Sequence, residues 1–356
     1  MLYGGLGNLG LTCAINTLIQ CITHTPALRK FLLQNNFATD TLTYQLKDVV
    51  ELLYLKKVTV APKGFLHKLF TLFPDILRFG EQHDLCELWM LIADKIADEI
   101  GQPIPSPPKT LEEDPNNLEN KIHHTIYNCN NKKMSKWIEN IQGLQISILQ
   151  CKNTSCHETY YNPEVFTTMM VDIPIEKNKD LINLLLEFYK IEELDSATWK
   201  CDKCGEKCGA KKQCKLVKMP KVLIIVLKRF LMTENGNFKK INDPIDITPD
   251  LEFKFDSKIY KYKLYAIGNH MGSYNGGHYN ALIATKNSTH ENTQEHIQEN
   301  TQEHIQENTQ ENITQDKQSN WNCYDDSTCY PITDNDDNIL LNTREAYILF
   351  YQIIHE

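Results

Sequence analysis

The stretch from residue 7 to residue 20, GNLGLTCAINTLIQ, places a cysteine where it could act as a nucleophile. Thr12 stands at the N-cap position of a predicted helix, so Cys13 falls in the first turn. Free backbone N–H groups and the helix dipole favour an anion there, and a thiolate is an anion. Because most cysteines are simply buried, a catalytic Cys13 requires a base, an orienting acid and an oxyanion donor elsewhere in the chain. The helix is predicted from apolar residues that share one face, namely Ile15, Leu18, Ile19 and Ile22.

A histidine far along the chain could supply the base. His278 follows a glycine pair at a turn-to-strand junction, where a rigid scaffold can present a side chain. The segment 321–327 has the pattern of a strand that ends in two carboxylates, Asp325 and Asp326. Asp325 could accept a hydrogen bond from the imidazole and fix its tautomer, and Asp326 could share or take over that role. The alternative is an ordinary acidic turn at the end of a strand.

Two pairs of cysteines have the spacing of metal ligands. Cys201 and Cys204 form a Cys-x-x-Cys-Gly knuckle, and Cys151 and Cys156 form a looser pair with four residues between them. Four thiolates from two turns satisfy tetrahedral Zn²⁺, and a closed site of this kind is structural. A redox pair or free thiols are the alternative. Two further cysteines nearby could replace a ligand, namely Cys208 and Cys214.

The overall composition limits the class of protein. A length of 356 residues suffices for one large domain or two ordinary ones, and a formal net charge of −9 argues against general nucleic-acid binding. We expect no membrane segment, because no stretch approaches the roughly 20 apolar residues that a membrane helix needs. The N-terminus lacks the pattern of a secretory signal. We therefore expect a cytoplasmic or nuclear protein whose 12 cysteines are reduced. We also expect it to be a monomer.

The order of the predicted elements favours an α+β fold. Residues 13–100 carry helical apolar spacing, whereas short β-type runs begin at about residue 141. The strongest central-strand pattern is KVLIIVLKRF at 221–230. Residues 101–120 have the composition of a loop. Residues 287–319 contain a polar eight-residue tandem repeat, which predicts a disordered insertion between two strands.

Together these motifs resemble a ubiquitin-specific protease, a papain-like cysteine deubiquitinase. The resemblance covers essentially the whole chain and depends on the order of several motifs rather than on any one of them. The stretch 7–20 resembles the Cys box of the family, and QHDLCEL at 82–88 resembles its glutamine-rich box. The remaining matches are the knuckle at 201–204 with the LKRF strand at 227–230, the His box at 262–279, and the strands at 321–327 and 346–351.

The resemblance implies a role for each candidate catalytic residue. Cys13 would be the nucleophile, His278 the general base and Asp325 its orienting acid, with Asp326 as the substitute. Asn8 would be the oxyanion-hole side chain, helped by the backbone N–H of Cys13. The glycines before Cys13 would let the loop bring Asn8 back over the sulfur.

The resemblance also implies how a substrate is held. Gln82 and Asp84 match positions that contact the extended, basic tail of ubiquitin, although a capped helix start is the alternative for both residues. Gly277 and Tyr279 are expected to contact the same tail. Ubiquitin and ubiquitinated proteins would then be the partners.

The implied architecture is a single domain over 1–356 with the shape of a right hand. A helical thumb would span 1–120, zinc-binding fingers 140–220, and a palm 120–140 together with 221–356. One structural zinc ion would be held by Cys151, Cys156, Cys201 and Cys204. The first knuckle has four intervening residues instead of the usual two, which leaves the ligand set open to Cys208.

Three other functions are compatible with parts of the sequence. An inactive ubiquitin-binding protein would share the fold, but all four catalytic positions are filled. A zinc-ribbon nucleic-acid binder is disfavoured by the negative charge. A protease for a ubiquitin-like modifier would use the same chemistry, and the sequence alone does not separate it from a deubiquitinase.

Overall fold

The computed structural model describes residues 4–107, 117–174, 179–233, 235–255, 257–274, 276–284, 318–333 and 342–355. Most of the insertion predicted at 287–319 lies outside these residues, as does the middle of the loop predicted at 101–120. In the described part of the chain, helices dominate the first hundred residues and strands dominate the rest, as the sequence predicts. None of the helices in these ranges is long and apolar enough to cross a membrane.

Five helices form the N-terminal part of the molecule around α1 (Cys13–His24). Every residue of α1 is buried, because it is covered by other helices on one side and by a sheet on the other. The helices that follow it are α2 (Pro26–Gln34), α3 (Leu42–Tyr54), α4 (Lys63–Leu72) and α5 (Leu85–Ile100). The later residues that the structure describes contain three more, namely α6 (Leu118–Cys129), α7 (Lys136–Ile141) and α8 (Leu181–Phe188).

Among the described residues, two larger sheets and three short strand pairs accompany the helices. Short pairs join β1 (Gln102–Pro103) to β2 (Lys133–Met134), β9 (Phe230–Met232) to β10 (Phe238–Lys240), and β11 (Ile245–Asp246) to β17 (Asn342–Thr343). A four-stranded sheet has the order β4-β3-β7-β6, with β3 Gly143–Cys151, β4 Thr159–Phe166, β6 Glu192–Leu194 and β7 Ala210–Lys218. The eight-stranded sheet has the order β16-β15-β14-β13-β18-β8-β5, with β12 also paired to β13. Its strands are β5 (Met169–Asp172), β8 (Val222–Lys228), β12 (Asp250–Phe255), β13 (Lys258–Ser273), β14 (Gly276–Ala284), β15 (Gln318–Asp325), β16 (Thr328–Thr333) and β18 (Ala346–His355).

The eight-stranded sheet is apolar on both faces, which explains the uninterrupted apolar run of β8. Val222, Ile224 and Val226 join the core between the sheet and the N-terminal helices. The alternate residues of β8 join a second core on the opposite face, which includes residues of α8. Because successive side chains of a strand point to opposite faces, a strand covered on both sides must be apolar throughout. The position of β8 between β18 and β5 confirms the predicted interior strand.

Strands β14 and β15 are antiparallel neighbours, and this pairing brings two distant segments together. Ala284 at the end of β14 pairs with Trp321, and Ala281 pairs with Tyr324. The start of β14 therefore lies beside the end of β15. His278 and Asp325 occupy these two positions, at the same end of the sheet.

Arg229 is fully buried immediately after β8 and organises the chain around it. Its guanidinium donates hydrogen bonds to four backbone carbonyls, those of Ile241 (3.1 Å), Asp243 (3.0 Å), Thr343 (2.9 Å) and Ala346 (2.6 Å). Burial lowers the pKa of Arg229 to about 10, which still leaves it charged at neutral pH. One side chain thus fixes the segments that enter β11 and β18.

Replacement of Arg229 by Met should therefore destabilise the fold strongly. The four carbonyls would lose their donor, and we expect a loss of about 3 kcal/mol or more in the free energy of unfolding. Lys228→Met is the matched control, since Lys228 pairs at the surface with Asp172 and should contribute less than about 1 kcal/mol. Denaturant midpoints of the two variants measure the difference, and equal midpoints would contradict the role of Arg229.

Candidate active site and metal centre

Cys13 begins α1, as the sequence predicts, but Thr12 does not cap the helix with its side chain. The Thr12 hydroxyl makes no hydrogen bond to the first turn. It accepts one from the backbone N–H of Leu9 at 3.1 Å and lies 3.3 Å from Oδ1 of Asn8. The hydroxyl therefore stabilises the loop before the helix, and the backbone N–H groups at the helix start remain available near Cys13.

The environment of Cys13 raises the pKa of its thiol above the ordinary value. Burial is the largest cause, since the residue is only 3 % exposed, and the negative charge of Asp326 acts in the same direction. The backbones of Tyr279 and Ala14 lower the pKa by hydrogen bonding. The helix start thus favours the thiolate as expected, but desolvation outweighs this effect.

His278 and Asp325 are in direct contact. Nε2 of His278 lies 2.5 Å from Oδ1 of Asp325, and each side chain is about one-third exposed. Asp325 is the last residue of β15, so the strand pairing described above produces this contact. With Nε2 engaged, Nδ1 is the imidazole nitrogen that remains for a reacting group.

Asp326 contacts a different set of partners from its neighbour. Its carboxylate accepts hydrogen bonds from Nδ2 of Asn8 at 2.9 Å and from Nδ2 of Asn16 at 2.8 Å. Its backbone carbonyl accepts another from the N–H of Leu6 at 2.7 Å. The backbone at Asp326 is left-handed, with φ = 50°, a conformation that Asp tolerates better than most residues. Asp325 therefore contacts the histidine, whereas Asp326 contacts the loop that carries Asn8.

The loop before Cys13 folds so that the Asn8 amide is held at both ends. Oδ1 of Asn8 accepts from the N–H groups of Gly10 (3.1 Å) and Thr12 (3.2 Å), while Nδ2 donates to Asp326. The turn requires left-handed backbone at Gly10 (φ = 114°) and Leu11 (φ = 56°). An Asn amide has two N–H donors, so one remains after the bond to Asp326.

Gln82 makes a reciprocal pair of hydrogen bonds with Gly277. Its Nε2 donates to the carbonyl of Gly277 at 2.5 Å, and its Oε1 accepts from the N–H of Gly277 at 3.0 Å. Gly277 directly precedes His278, so this contact joins the segment before α5 to the strand that carries the imidazole. A Cβ at Gly277 would lie 2.2 Å from the His270 ring, which explains the need for glycine.

Asp84 and Tyr279 are engaged within the protein. Asp84 caps α5 by accepting from the N–H groups of Cys86 and Glu87, and it also accepts from the Tyr347 hydroxyl at 2.7 Å. This is the capped helix start that the sequence allowed as an alternative. Tyr279 is buried, and its ring centroid lies 4.7 Å from that of His270.

Two contacts near Cys13 were not predicted from the sequence. Asn16 is 2 % exposed and joins α1 to Asp326, and no sequence signal distinguishes it from the other polar residues of this helix, such as Thr17 and Gln20. The bond between Gln82 and Gly277 has no sequence signal, because it joins backbone atoms to a side chain 195 positions away.

The four predicted cysteine ligands form a cluster that could hold a metal ion. The Sγ atoms of Cys151, Cys156, Cys201 and Cys204 all lie within 4.8 Å of one another. Cys156 and Cys201 are 3.8 Å apart, and Cys151 and Cys204 are 4.0 Å apart. A tetrahedral ion with metal–sulfur bonds of about 2.3 Å separates its ligands by about 3.8 Å, so the cluster fits such an ion. The Cys208 sulfur lies 3.2 Å from that of Cys151.

Comparison with known proteins identifies the family. The family model described as ubiquitin carboxyl-terminal hydrolase matches residues 4–351, and the chain belongs to this family. Among its relatives are ubiquitin carboxyl-terminal hydrolase 4 of Vanderwaltozyma polyspora (25 % identity, 99 % of this chain, 41 % of the relative) and ubiquitin carboxyl-terminal hydrolase 21 of Homo sapiens (26 %, 99 % and 62 %). The chain thus spans about two-fifths and three-fifths of the length of these relatives.

Solved structures support the same fold. The SAGA module Ubp8/Sgf11/Sus1/Sgf73 bound to ubiquitin aldehyde matches with a TM-score of 0.67 at 22 % identity, over 98 % of this chain and 69 % of the other. A Ubp8 variant of that module, bound to monoubiquitin, matches with a TM-score of 0.68 at 24 % identity, with coverage of 98 % and 69 %. The predicted family and the α+β ubiquitin-specific protease fold are confirmed.

The charge of Asp326 should be measurable in the reactivity of Cys13. Because this charge raises the pKa of Cys13, we expect Asp326→Asn to lower it, and Asn also tolerates the left-handed backbone. The measurement is the pH profile of iodoacetamide labelling at Cys13, read by peptide mass spectrometry. The parent profile should rise at a higher pH than that of an ordinary thiol. Labelling of the exposed Cys129 should be the same in both proteins, and an unchanged or upward-shifted Cys13 profile would contradict the effect.

Proposed function

We propose that this chain is a thiol-dependent deubiquitinase that hydrolyses the peptide or isopeptide bond after the C-terminal glycine of ubiquitin. The observation that carries the proposal is the contact between His278 and Asp325, at the end of the sheet that packs against the helix starting at Cys13. A nucleophile, a base and an orienting acid are the parts that acyl transfer requires. Membership of the hydrolase family supports the same chemistry.

In the proposed mechanism the Cys13 thiol gives its proton to Nδ1 of His278 as the sulfur attacks the carbonyl carbon of the last ubiquitin glycine. Collapse of the tetrahedral intermediate breaks the C–N bond, and the His278 proton goes to the leaving amine. A thioester between ubiquitin and Cys13 remains. Water then gives a proton to His278 and attacks the thioester, which releases ubiquitin and returns the proton to Cys13. Asp325 keeps the imidazole oriented and stabilises its charged form.

The raised pKa of Cys13 suggests that the resting nucleophile is a thiol. Burial and the Asp326 charge both disfavour a preformed thiolate, so the proton transfer to His278 would accompany attack. A neutral thiol is less reactive toward small electrophiles than a thiolate. Cys13 would therefore react with a bound substrate in preference to small electrophiles in solution.

Asn8 is proposed as the side-chain donor to the oxyanion, together with the backbone N–H of Cys13. The bond to Asp326 and the two bonds to Oδ1 hold the amide in place before substrate arrives. A fixed donor needs no reorganisation as charge develops, and loss of one such donor typically reduces the rate by about 10²–10³. Asp326 is therefore proposed to act through Asn8 rather than through the imidazole.

Gln82, Asp84, Gly277 and Tyr279 are proposed to line the path of the ubiquitin tail. The pair between Gln82 and Gly277 supports a location next to His278, and it suggests that Gln82 also positions the strand that carries the base. The carboxylate of Asp84 already accepts the hydrogen bonds of the helix cap and one from the Tyr347 hydroxyl. It would contact the basic tail only through the lone pairs that these bonds do not use.

For the chain as a whole we propose the right-hand architecture of thumb, fingers and palm. The thumb would be residues 1–120, the fingers 140–220 and the palm 120–140 with 221–356, all within one domain. The four-stranded sheet of β3, β4, β6 and β7 supports the fingers, and one zinc ion at Cys151, Cys156, Cys201 and Cys204 would tie its turns together. Ubiquitin and ubiquitinated proteins would be partners of a monomeric, cytoplasmic or nuclear enzyme that does not bind nucleic acid.

The enzyme proposal is tested with ubiquitin that carries a thiol-reactive group at its C-terminus. We expect a stable adduct at Cys13, no adduct with Cys13→Ala, and adduct formation slowed by about 10²-fold or more with His278→Gln, which lacks the general base. Cys129→Ala is the matched control and should react like the parent, because Cys129 is an exposed thiol outside the site. An adduct that survives Cys13→Ala would refute the assignment.

The same probe separates the alternative functions. An inactive ubiquitin-binding protein would bind ubiquitin and form no adduct. A protease for another modifier would react faster with a probe made from that ubiquitin-like protein. We expect the ubiquitin probe to react faster.

The metal proposal is tested by elemental analysis of the purified chain. We expect about one zinc ion per chain, and we expect Cys201→Ser to lose it, because Cys201 is a fully buried member of the cluster. Cys214→Ser is the matched control on the neighbouring strand and should retain the metal. A folded parent chain without zinc would refute the site.

A further inference from the structure

Cys208 is a fifth cysteine beside the four-cysteine cluster, and neither the knuckle pattern nor the tetrahedral set includes it. Its sulfur lies 3.2 Å from the sulfur of Cys151, while the sulfur of Cys204 lies 4.0 Å from that of Cys151. The separation of 3.2 Å is shorter than the roughly 3.8 Å between two ligands of one tetrahedral ion. Cys208 therefore lies next to the cluster, and the sulfurs of Cys151 and Cys208 would move apart by about 0.6 Å if both bound one ion.

The backbone holds Cys208 in this place. Cys151 ends β3 and is the register partner of Ala210, which begins β7. Cys208 is two residues before Ala210, and the N–H of Lys152 donates to the carbonyl of Gly209 at 3.2 Å. Gly209 has a left-handed backbone with φ = 73°, and a Cβ there would approach the Leu194 carbonyl to 2.4 Å. The turn that presents Cys208 is thus built into the sheet.

Cys156 differs from the other ligands of the cluster in the turn that carries it. Cys151 and Cys201 are buried, and Cys204 shares a compact knuckle in which Gly205 N–H bonds to the Cys201 carbonyl. Cys156 is half-buried, as Cys204 is, but it comes from the longer Cys-x₄-Cys turn. The residue after it, His157, has a left-handed backbone with φ = 49°, whereas glycine occupies the matching position after Cys204, at Gly205 with φ = 72°. His adopts this conformation more readily than most residues but less readily than glycine.

We propose that Cys208 is a reserve metal ligand that can take the place of Cys156. In the exchange one metal–sulfur bond to Cys208 forms and one to Cys156 breaks. Cys208 gives up its thiol proton, and Cys156 takes one up, so charge and oxidation state are unchanged. The alternative set is Cys151, Cys201, Cys204 and Cys208, again four thiolates. The inference rests on the metal site proposed above.

The first experiment measures metal content and the Co²⁺ absorption spectrum of four chains, namely the parent, Cys156→Ser, Cys208→Ser and the double variant. We expect about one metal per chain in the parent and in both single variants, with a four-thiolate tetrahedral cobalt spectrum in each. The double variant should lose the metal or show a spectrum with fewer thiolates. Cys214→Ser is the matched control and should behave as the parent.

The outcomes distinguish the reserve-ligand proposal from the proposal of the metal site. A Cys156→Ser chain that loses metal as completely as the double variant would overturn the role of Cys208, and so would a double variant that keeps the four-thiolate spectrum. A folded parent chain without metal would overturn both proposals. A parent chain that binds metal, with variants that show no metal binding by Cys208, would overturn only the reserve-ligand proposal.

A second measurement avoids any variant of the primary ligands. If Cys208 replaces Cys156 part of the time, Cys156 is transiently free in the parent and reacts with iodoacetamide. Cys208→Ser should then slow the alkylation of Cys156, because the thiol that displaces Cys156 from the metal has been removed. Equal alkylation rates in the two chains would contradict the exchange.

Discussion

The carboxylate of Asp326 is the contact on which the candidate active site depends. It joins the loop that carries Asn8, the buried helix that carries Asn16 and the turn that follows Asp325. These three segments are distant in the sequence and belong to different parts of the fold. A single negative charge therefore sets the position of the proposed oxyanion donor relative to the proposed base, and it also raises the pKa of Cys13. Geometry and nucleophile reactivity are linked through one side chain.

The buried position of α1 both restricts the movement of Cys13 and raises the pKa of its thiol. A helix covered on all sides cannot shift, which fixes Cys13 against the end of the sheet. The same burial removes water from the thiol and disfavours its charge. The helix N-terminus compensates only in part. Precise positioning and a raised pKa are thus two results of one packing arrangement.

Much of this arrangement could be predicted from the sequence, because local patterns carry it. The helix after Thr12, the apolar strand at 221–230 and the two cysteine pairs all depend on spacing within a few residues. The division of work between Asp325 and Asp326 could not be predicted, since adjacent carboxylates differ only in the partners that the fold supplies. The same holds for Asn16 and for the bond between Gln82 and Gly277, which join segments far apart in the chain.

The pairing of β14 with β15 also makes the contact between His278 and Asp325 independent of the length of the connection between these strands. His278 and Asp325 lie at one end of this strand pair, and the connection between Ala284 and Gln318 leaves from the other end. Ala284 pairs with Trp321, three residues after Gln318, so the sheet holds the two ends of that connection close together. Doubling the length of a loop adds only about 0.6 kcal/mol of closure entropy. Gain or loss of eight-residue repeats could therefore proceed over evolutionary time while the catalytic geometry stays the same.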